Sequence, residues 1–326
     1  FQNPLIGFYL GRIFGAAFFV GAIILALKVV PERYRLLIYL YAAIPMVLHQ
    51  VGAISYDAVH LSLFPLVFAY LARFITDDSP IRRRDVLIFM GLLWWTINVR
   101  SFAYDPLVLL FFAVPWQRID PDRRQYAKLT AAFLGFTAVT TGIFGMLYLS
   151  ETHLLAPGSV GISASSQVKY VLGHPIQFLE ACYRTFTVHG ELLLRQGIGV
   201  FGWIDYAFNF VPYYAVVVVA GLVAYYVAER DTLVIRRLHL SVIWLALAGT
   251  VGALFLSLYA VWSPVGAGVV GGLQGRYFVG LLPFAMFAGS QTAITVGRGR
   301  LLQVAVVLLG LFLLASMLKA VEGRYY

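Results

Sequence analysis

The sequence predicts an all-α, polytopic integral membrane protein. Apolar residues make up 61% of the 326 residues and charged residues 12%, with a mean hydropathy of +0.83. A soluble domain is nearer half apolar and a quarter charged. The apolar residues also fall in runs close to the ~20 that a bilayer requires. Short loops rich in arginine separate these runs. One membrane domain over 1–326 accounts for the whole chain.

Several classes are excluded at once. The lone cysteine, Cys182, rules out an internal disulfide framework and a cysteine metal site. The net charge of +9 is explained by topology, because the basic residues cluster in loops, and no nucleic-acid partner is implied. No P-loop, dinucleotide fingerprint or internal repeat is present. The six histidines include no HxxxH pair. His49 and His60 lack a carboxylate pair, so no metal site is read from these residues and no bound cofactor is expected; the sequence leaves a divalent-metal requirement open. The chain starts at Phe1 without methionine or a basic signal-peptide region, which predicts a native segment upstream.

The spans are taken in order. Full-length candidates are 5–29, 36–53, 57–76, 128–150, 211–229, 239–262, 279–296 and 301–320. Five loops hold 16 of the 24 Lys+Arg. They carry Lys28, Arg33 and Arg35; Arg73, Arg82, Arg83 and Arg84; Arg118, Arg123, Arg124 and Lys128; Arg230, Arg236 and Arg237; Arg298 and Arg300. The positive-inside rule places all five in the cytoplasm.

Residues 85–116 are apolar between two such loops, so this segment must enter and return. Its 32 residues are too few for two full α-helical spans and a turn. A re-entrant hairpin of two short helices is predicted, meeting at Arg100, Ser101, Tyr104 and Asp105. A polar turn inside a membrane requires cover by protein or a wet cavity. Arg100 at that depth is a functional candidate; its structural alternative is a pair with Asp105.

Residues 151–210 form one long outer-face loop. Ser165 or Ser166 caps a short helix ending at Gly173, Pro175 opens a second, and Gly190 closes it. Ile176, Leu179, Cys182 and Phe186 share one face and Glu180 and Arg184 the other, the pattern of a helix lying in the interface.

Four outer elements bring polar groups to one level. The first is the turn before the third span, with His49, Ser55, Asp57 and His60. The second is the Arg100 turn. The third is Gly202-Trp203-Ile204-Asp205. The fourth is the glycine-rich loop from Ser263 to Phe278, ending in Gln274-Gly275-Arg276-Tyr277-Phe278. Arg276 offers a bidentate phosphate contact, assisted by Arg100, Gln274 and Tyr277. Asp57 is the candidate base, and Trp203, Asp205, Ser55 and His60 are candidate sugar contacts. The loop glycines suggest a mobile lid. The structural alternatives are that Asp57 caps its helix, that Asp205 pairs with Arg276, and that Trp203 is a belt residue.

These stretches resemble a known family. Tyr9-Leu10-Gly11-Arg12, Ile44-Pro45-Met46, Ser55-Tyr56-Asp57-Ala58, His174-Pro175 with Phe178, Gly199 to Asp205, and Gln274 to Phe278 with Leu282-Pro283 run in the order of the bacterial domain-of-unknown-function-2142 (DUF2142) membrane proteins. Those are related to GT-C-type glycosyltransferases. The resemblance implies a GT-C-like helical bundle in the bacterial cytoplasmic membrane, acting at its periplasmic or extracellular face. It implies a polyprenyl-phosphate sugar as donor, and a catalytic acidic loop upstream of Phe1. The family's lysine before the embedded turn stands here as Arg100.

The leading expectation is therefore sugar transfer from a lipid phosphate, within the chemistry of cell-envelope polysaccharides. The alternatives are a lipid or solute transporter and a non-catalytic subunit of a larger membrane assembly. Membrane lipids, the lipid-linked sugar and other membrane subunits are the expected partners.

Overall fold

A computed structural model describes residues 4–100, 102–155, 162–201, 206–207, 213, 215–223, 237–290 and 308–317, with the side chains of 148–155 and 206 outside that description. In chain order the helices are α1 (Pro4–Val29), α2 (Arg35–Ala42), α3 (Pro45–Val51), α4 (Tyr56–Thr76), α5 (Arg83–Asn98), α6 (Trp116–Ile119), α7 (Arg123–Leu155), α8 (Ala164–Gly173) and α9 (Pro175–Gly199). They continue as α10 (215–223), α11 (Arg237–Trp262), α12 (Arg276–Val279), α13 (Leu282–Ser290) and α14 (Leu308–Met317). Two 3-10 segments, Glu32–Tyr34 and Asp105–Ala113, interrupt the series. A two-residue ladder pairs Val200 with Ala207.

Four described helices are long and apolar enough to cross a membrane: Pro4–Val29, Tyr56–Thr76, Arg123–Leu147 and Arg237–Trp262. The multi-pass, helical character expected from composition is what the structure has. The centre is α4, where nearly every side chain from Ala58 to Ala72 is buried. Its aromatic residues meet α13 edge-on, with Phe68 and Phe284 rings 5.5 Å apart. By contrast α1 leaves Leu5, Ile13, Phe14 and Leu25 about half or more exposed, as a lipid-facing helix does.

Two predicted spans are broken. The run 36–53 divides into α2 and α3 because Pro45 lacks an N–H and forces Ile44 into an extended conformation, with φ −68° and ψ 121°. The run 279–296 divides near Gly280, between α12 and α13. Its remainder, and parts of 211–229 and 301–320, lie outside the described residues.

The segment 85–116 goes in and returns as expected of its charges, but reaches further. α5 rises about 24 Å at ~1.5 Å per residue. The return is a 3-10 helix, Asp105–Ala113, with a rise near 2.0 Å per residue, so that nine residues cover roughly 18 Å. The turn between them stands level with the first turn of α4, since Arg100 donates from Nη2 to the Tyr56 hydroxyl. Thirty-two residues suffice because a third of the hairpin is wound tighter and stretched longer than an α-helix.

The segment after α7 also differs in detail. Ser163, not Ser165 or Ser166, caps α8, its hydroxyl accepting the Ser166 N–H at 3.4 Å. Gly190 does not close α9, which runs on to Gly199. One helical glycine costs about 1 kcal/mol and does not by itself stop a well-packed helix. On α8 and α9, Leu172, Ile176, Leu179, Tyr183 and Val188 are all more than 60% exposed, so this amphipathic pair presents an apolar face outward.

The opposite end of α4 is tied down by arginines. Arg118 donates to the Phe74 and Ser79 carbonyls at 2.8 Å each and also to that of Asp77, and Arg33 donates to the Thr76 carbonyl at 3.1 Å. They satisfy carbonyls that the helix end leaves open and complement its dipole.

Candidate functional site

At the N-terminal end of α4 three charged side chains from distant parts of the chain converge. Asp57 lies in the first turn of α4, Arg100 follows α5, and Arg276 opens α12. Asp57 Oδ1 is 3.8 Å from Arg100 Nη2 and Oδ2 is 3.6 Å from Arg276 Nε. Each carboxylate oxygen thus faces its own guanidinium, at ion-pair distance but beyond hydrogen-bond length. The side chains are only 11%, 17% and 27% exposed for Asp57, Arg100 and Arg276. Among the described residues two cations face one anion, a surplus of positive charge in a half-dry setting, where it acts more strongly than in water.

Aromatic rings hold the guanidiniums. Arg100 Cζ stands 3.9 Å from the Tyr277 ring centroid and 5.0 Å from that of Tyr56. Arg276 Cζ is 5.6 Å from the same Tyr277 ring. Such contacts fix a planar cation without neutralising it. Below them Tyr104 is buried and donates its hydroxyl to the Tyr277 carbonyl at 2.7 Å. That bond ties the hairpin to α12.

Close backbone approaches set the position of Arg276. A Cβ on Gly275 would fall 1.7 Å from the Leu193 carbonyl oxygen of α9. Only glycine passes there, and its N–H donates to Gln196 Oε1 at 3.0 Å. After the single turn of α12, a Cβ on Gly280 would meet the Phe64 ring at 2.2 Å. Arg276 is therefore clamped between α9 on one side and α4 on the other. On the hairpin side, a Cβ on Gly249 would lie 2.9 Å from Pro106, so α11 packs directly on the 3-10 segment.

The glycine-rich loop has the opposite character to a mobile lid. Its backbone N–H groups are taken by side chains: Gly266 by Gln167 at 3.0 Å, Val270 by Thr185 at 2.8 Å and Gly271 by Ser263 at 2.9 Å. Tyr259 donates to the Ala267 carbonyl at 2.6 Å. Gly266 and Gly272 have φ of +75° and +70°, a region glycine enters without strain. The glycines shape a strapped loop lying on α8 and α9.

The structure thus brings together Asp57, Arg100, Arg276 and Tyr277. His60 lies one turn below Asp57, fully buried, with its ring 4.3 Å from that of Tyr104 and 4.7 Å from that of Phe64. Its Nε2 and the Ser55 hydroxyl are buried without a hydrogen-bond partner. Ser55 precedes α4 but makes no side-chain capping bond. Gln274 contributes its carbonyl, which accepts the Tyr277 N–H at 3.1 Å; among the described residues its side chain makes no hydrogen bond to the cluster. Trp203 and Asp205 lie outside the described residues. Among the described residues the acid that faces Arg276 is Asp57. The structure shows no ion pair between Arg100 and Asp105; Asp105 instead accepts the Phe102 N–H at 3.2 Å.

Some participants were not singled out from sequence as site residues. Tyr56 is the neighbour of Asp57, and Arg12 reaches the same turn by donating to the Gly52 carbonyl at 2.7 Å. Gln196 and Thr185 carry no sequence signal beyond being polar residues on a helix.

The fold and this cluster define a helical, multi-pass membrane protein with arginines gathered at one end of its bundle, away from the basic loops among the described residues. The chain belongs to the family described as predicted membrane protein (DUF2142), whose model matches residues 2–288. No curated protein and no solved structure matches it.

Proposed function

We propose that the Arg100–Asp57–Arg276 cluster binds the phosphate of a lipid-linked sugar and that the protein acts as a GT-C-like glycosyltransferase at the outer face of the bacterial cytoplasmic membrane. The observation that carries this reading is the surplus of guanidinium charge around one carboxylate, clamped at one end of the bundle. Phosphate is the common anion that two arginines recognise with geometric precision. The end that holds the cluster is opposite the arginine-rich loops among the described residues, which favours an outward position.

In the proposed transfer an acceptor hydroxyl oxygen bonds to the anomeric carbon of the sugar. The bond from that carbon to the phosphate oxygen breaks, and its electron pair leaves on the lipid phosphate. Arg276 and Arg100 meet that added negative charge. The acceptor proton passes to a carboxylate, for which Asp57 is the candidate among the described residues.

The test is Arg276→Ala in the native membrane, assayed for transfer of radiolabelled sugar from polyprenyl phosphate. A loss of roughly a hundredfold is expected for one removed charge-stabilising donor. Unchanged turnover removes Arg276 from the mechanism.

A further inference from the structure

The opposite end of the bundle carries a second basic site, independent of the cluster at Asp57. A cavity of about 540 Å³ is lined by Arg73, Ser79, Pro80, Arg82, Arg84 and Asp85. Its walls are built rather than loose. Arg73 is held by Asp85 at 3.4 Å. The loop that supplies Ser79 is strapped by Arg118 through the Phe74, Asp77 and Ser79 carbonyls. The Ser79 N–H donates to Asp77 Oδ1 at 3.0 Å and holds that carboxyl below the usual carboxylate range. One of the three arginines lining the cavity is matched by Asp85. Arg82 and Arg84 are exposed at its mouth with no carboxylate paired to them among the described residues. The lining therefore carries two unmatched positive charges, the complement of a phosphate group.

We propose that this cavity is a phosphate site at the basic membrane surface, occupied by the headgroup of an anionic phospholipid or by a soluble phosphate. Three features together point there: an open-mouthed cavity, two unmatched guanidiniums, and a hydroxyl-bearing residue, Ser79, on the wall. A general attraction of basic loops to anionic lipid needs none of the cavity. The two are separable because other exposed arginines, Arg123 and Arg124 in the first turn of α7, do not line the cavity.

The experiment compares the wild-type protein with Arg82→Gln/Arg84→Gln and with a control, Arg123→Gln/Arg124→Gln. The control removes the same charge from the first turn of α7, which does not line the cavity. Lipid retention is read by native mass spectrometry after purification from nanodiscs of phosphatidylglycerol or of phosphatidylcholine. Inorganic phosphate binding is read by isothermal titration in detergent. The cavity variant is expected to retain phosphatidylglycerol roughly tenfold less well or worse, the effect of one lost charge-assisted hydrogen bond to phosphate, with the control near wild type. Loss of inorganic phosphate binding in the same variant assigns the site to a soluble ligand and also supports the proposal. Equal losses in the two variants, or none in either, overturn it. Because Arg82 and Arg84 are exposed, an unchanged size-exclusion profile shows that folding is intact. The outcome is independent of sugar transfer, since no residue of the Asp57 cluster is altered.

Discussion

Asp57→Asn is the most informative single change at the charged cluster. It keeps the shape of the side chain and removes its charge. Arg100 and Arg276 then face each other across a neutral amide. At an effective dielectric near 20, each original pair at 3.6–3.8 Å contributes roughly 4–5 kcal/mol of Coulomb attraction. Desolvation and the mutual repulsion of the arginines offset most of that, and both guanidiniums keep some water. The net destabilisation expected is about 1–3 kcal/mol, below the 3–5 of a fully buried pair. The assay is thermal unfolding in detergent, followed by intrinsic fluorescence. Two further arms tie the loss to this cause. Adding Arg276→Gln to Asp57→Asn restores the charge balance of the wild type and is expected to recover part of the stability. Added inorganic phosphate is expected to raise the midpoint of Asp57→Asn more than that of the wild type, because the anion takes the place of the carboxylate. Equal stability of wild type and Asp57→Asn, with no response to phosphate, would refute the view that Asp57 is the counter-ion of an anion site.

Two other outcomes follow from the same structure. Gly275→Ala places a methyl where the Leu193 carbonyl already stands, 1.7 Å from the new carbon, so the chain must withdraw from α9 and lose the Gln196 bond; expression or thermal stability should fall sharply, by at least 2–3 kcal/mol, and a wild-type melting curve would contradict the clamp. Cys182 is half-buried on α9, and burial pushes its thiol up to about 11. Only the thiolate reacts, so its alkylation rate should still be climbing about tenfold per pH unit between pH 8 and 10; a plateau near pH 9 would show an ordinary exposed thiol.

Much of the architecture was legible in the sequence, for a definite reason. Apolar runs near bilayer length and arginines confined to loops are local properties, and α1, α4, α7 and α11 follow from them. The breaks at Pro45 and Gly280 were written in the residues as well, but a hydropathy window averages over a single proline or glycine. What no window reads is contact between distant segments. Arg276 is placed by Gly275 against Leu193 and Gly280 against Phe64. Each is a pair of residues whose fit depends on the other, and neither glycine announces its partner.

The pairing of Arg100 shows the same limit at short range. Asp105 is five residues away and Asp57 forty-three, and sequence distance favours Asp105. The turn decides otherwise. Phe102 adopts a φ of 69°, a left-handed conformation that costs a bulky side chain about 1–2 kcal/mol. A Cβ on Gly145 of α7 would lie 2.1 Å from the Phe102 ring, so the ring is seated where only glycine leaves room. With the chain reversed there, the Phe102 N–H donates to the Asp105 carboxylate at 3.2 Å. Arg100 is left to reach across to Tyr56, Tyr277 and Asp57. The strained turn stands beside the reach of Arg100 into the cluster, and it links the α5 hairpin, α7 and the charged end of α4 in one arrangement.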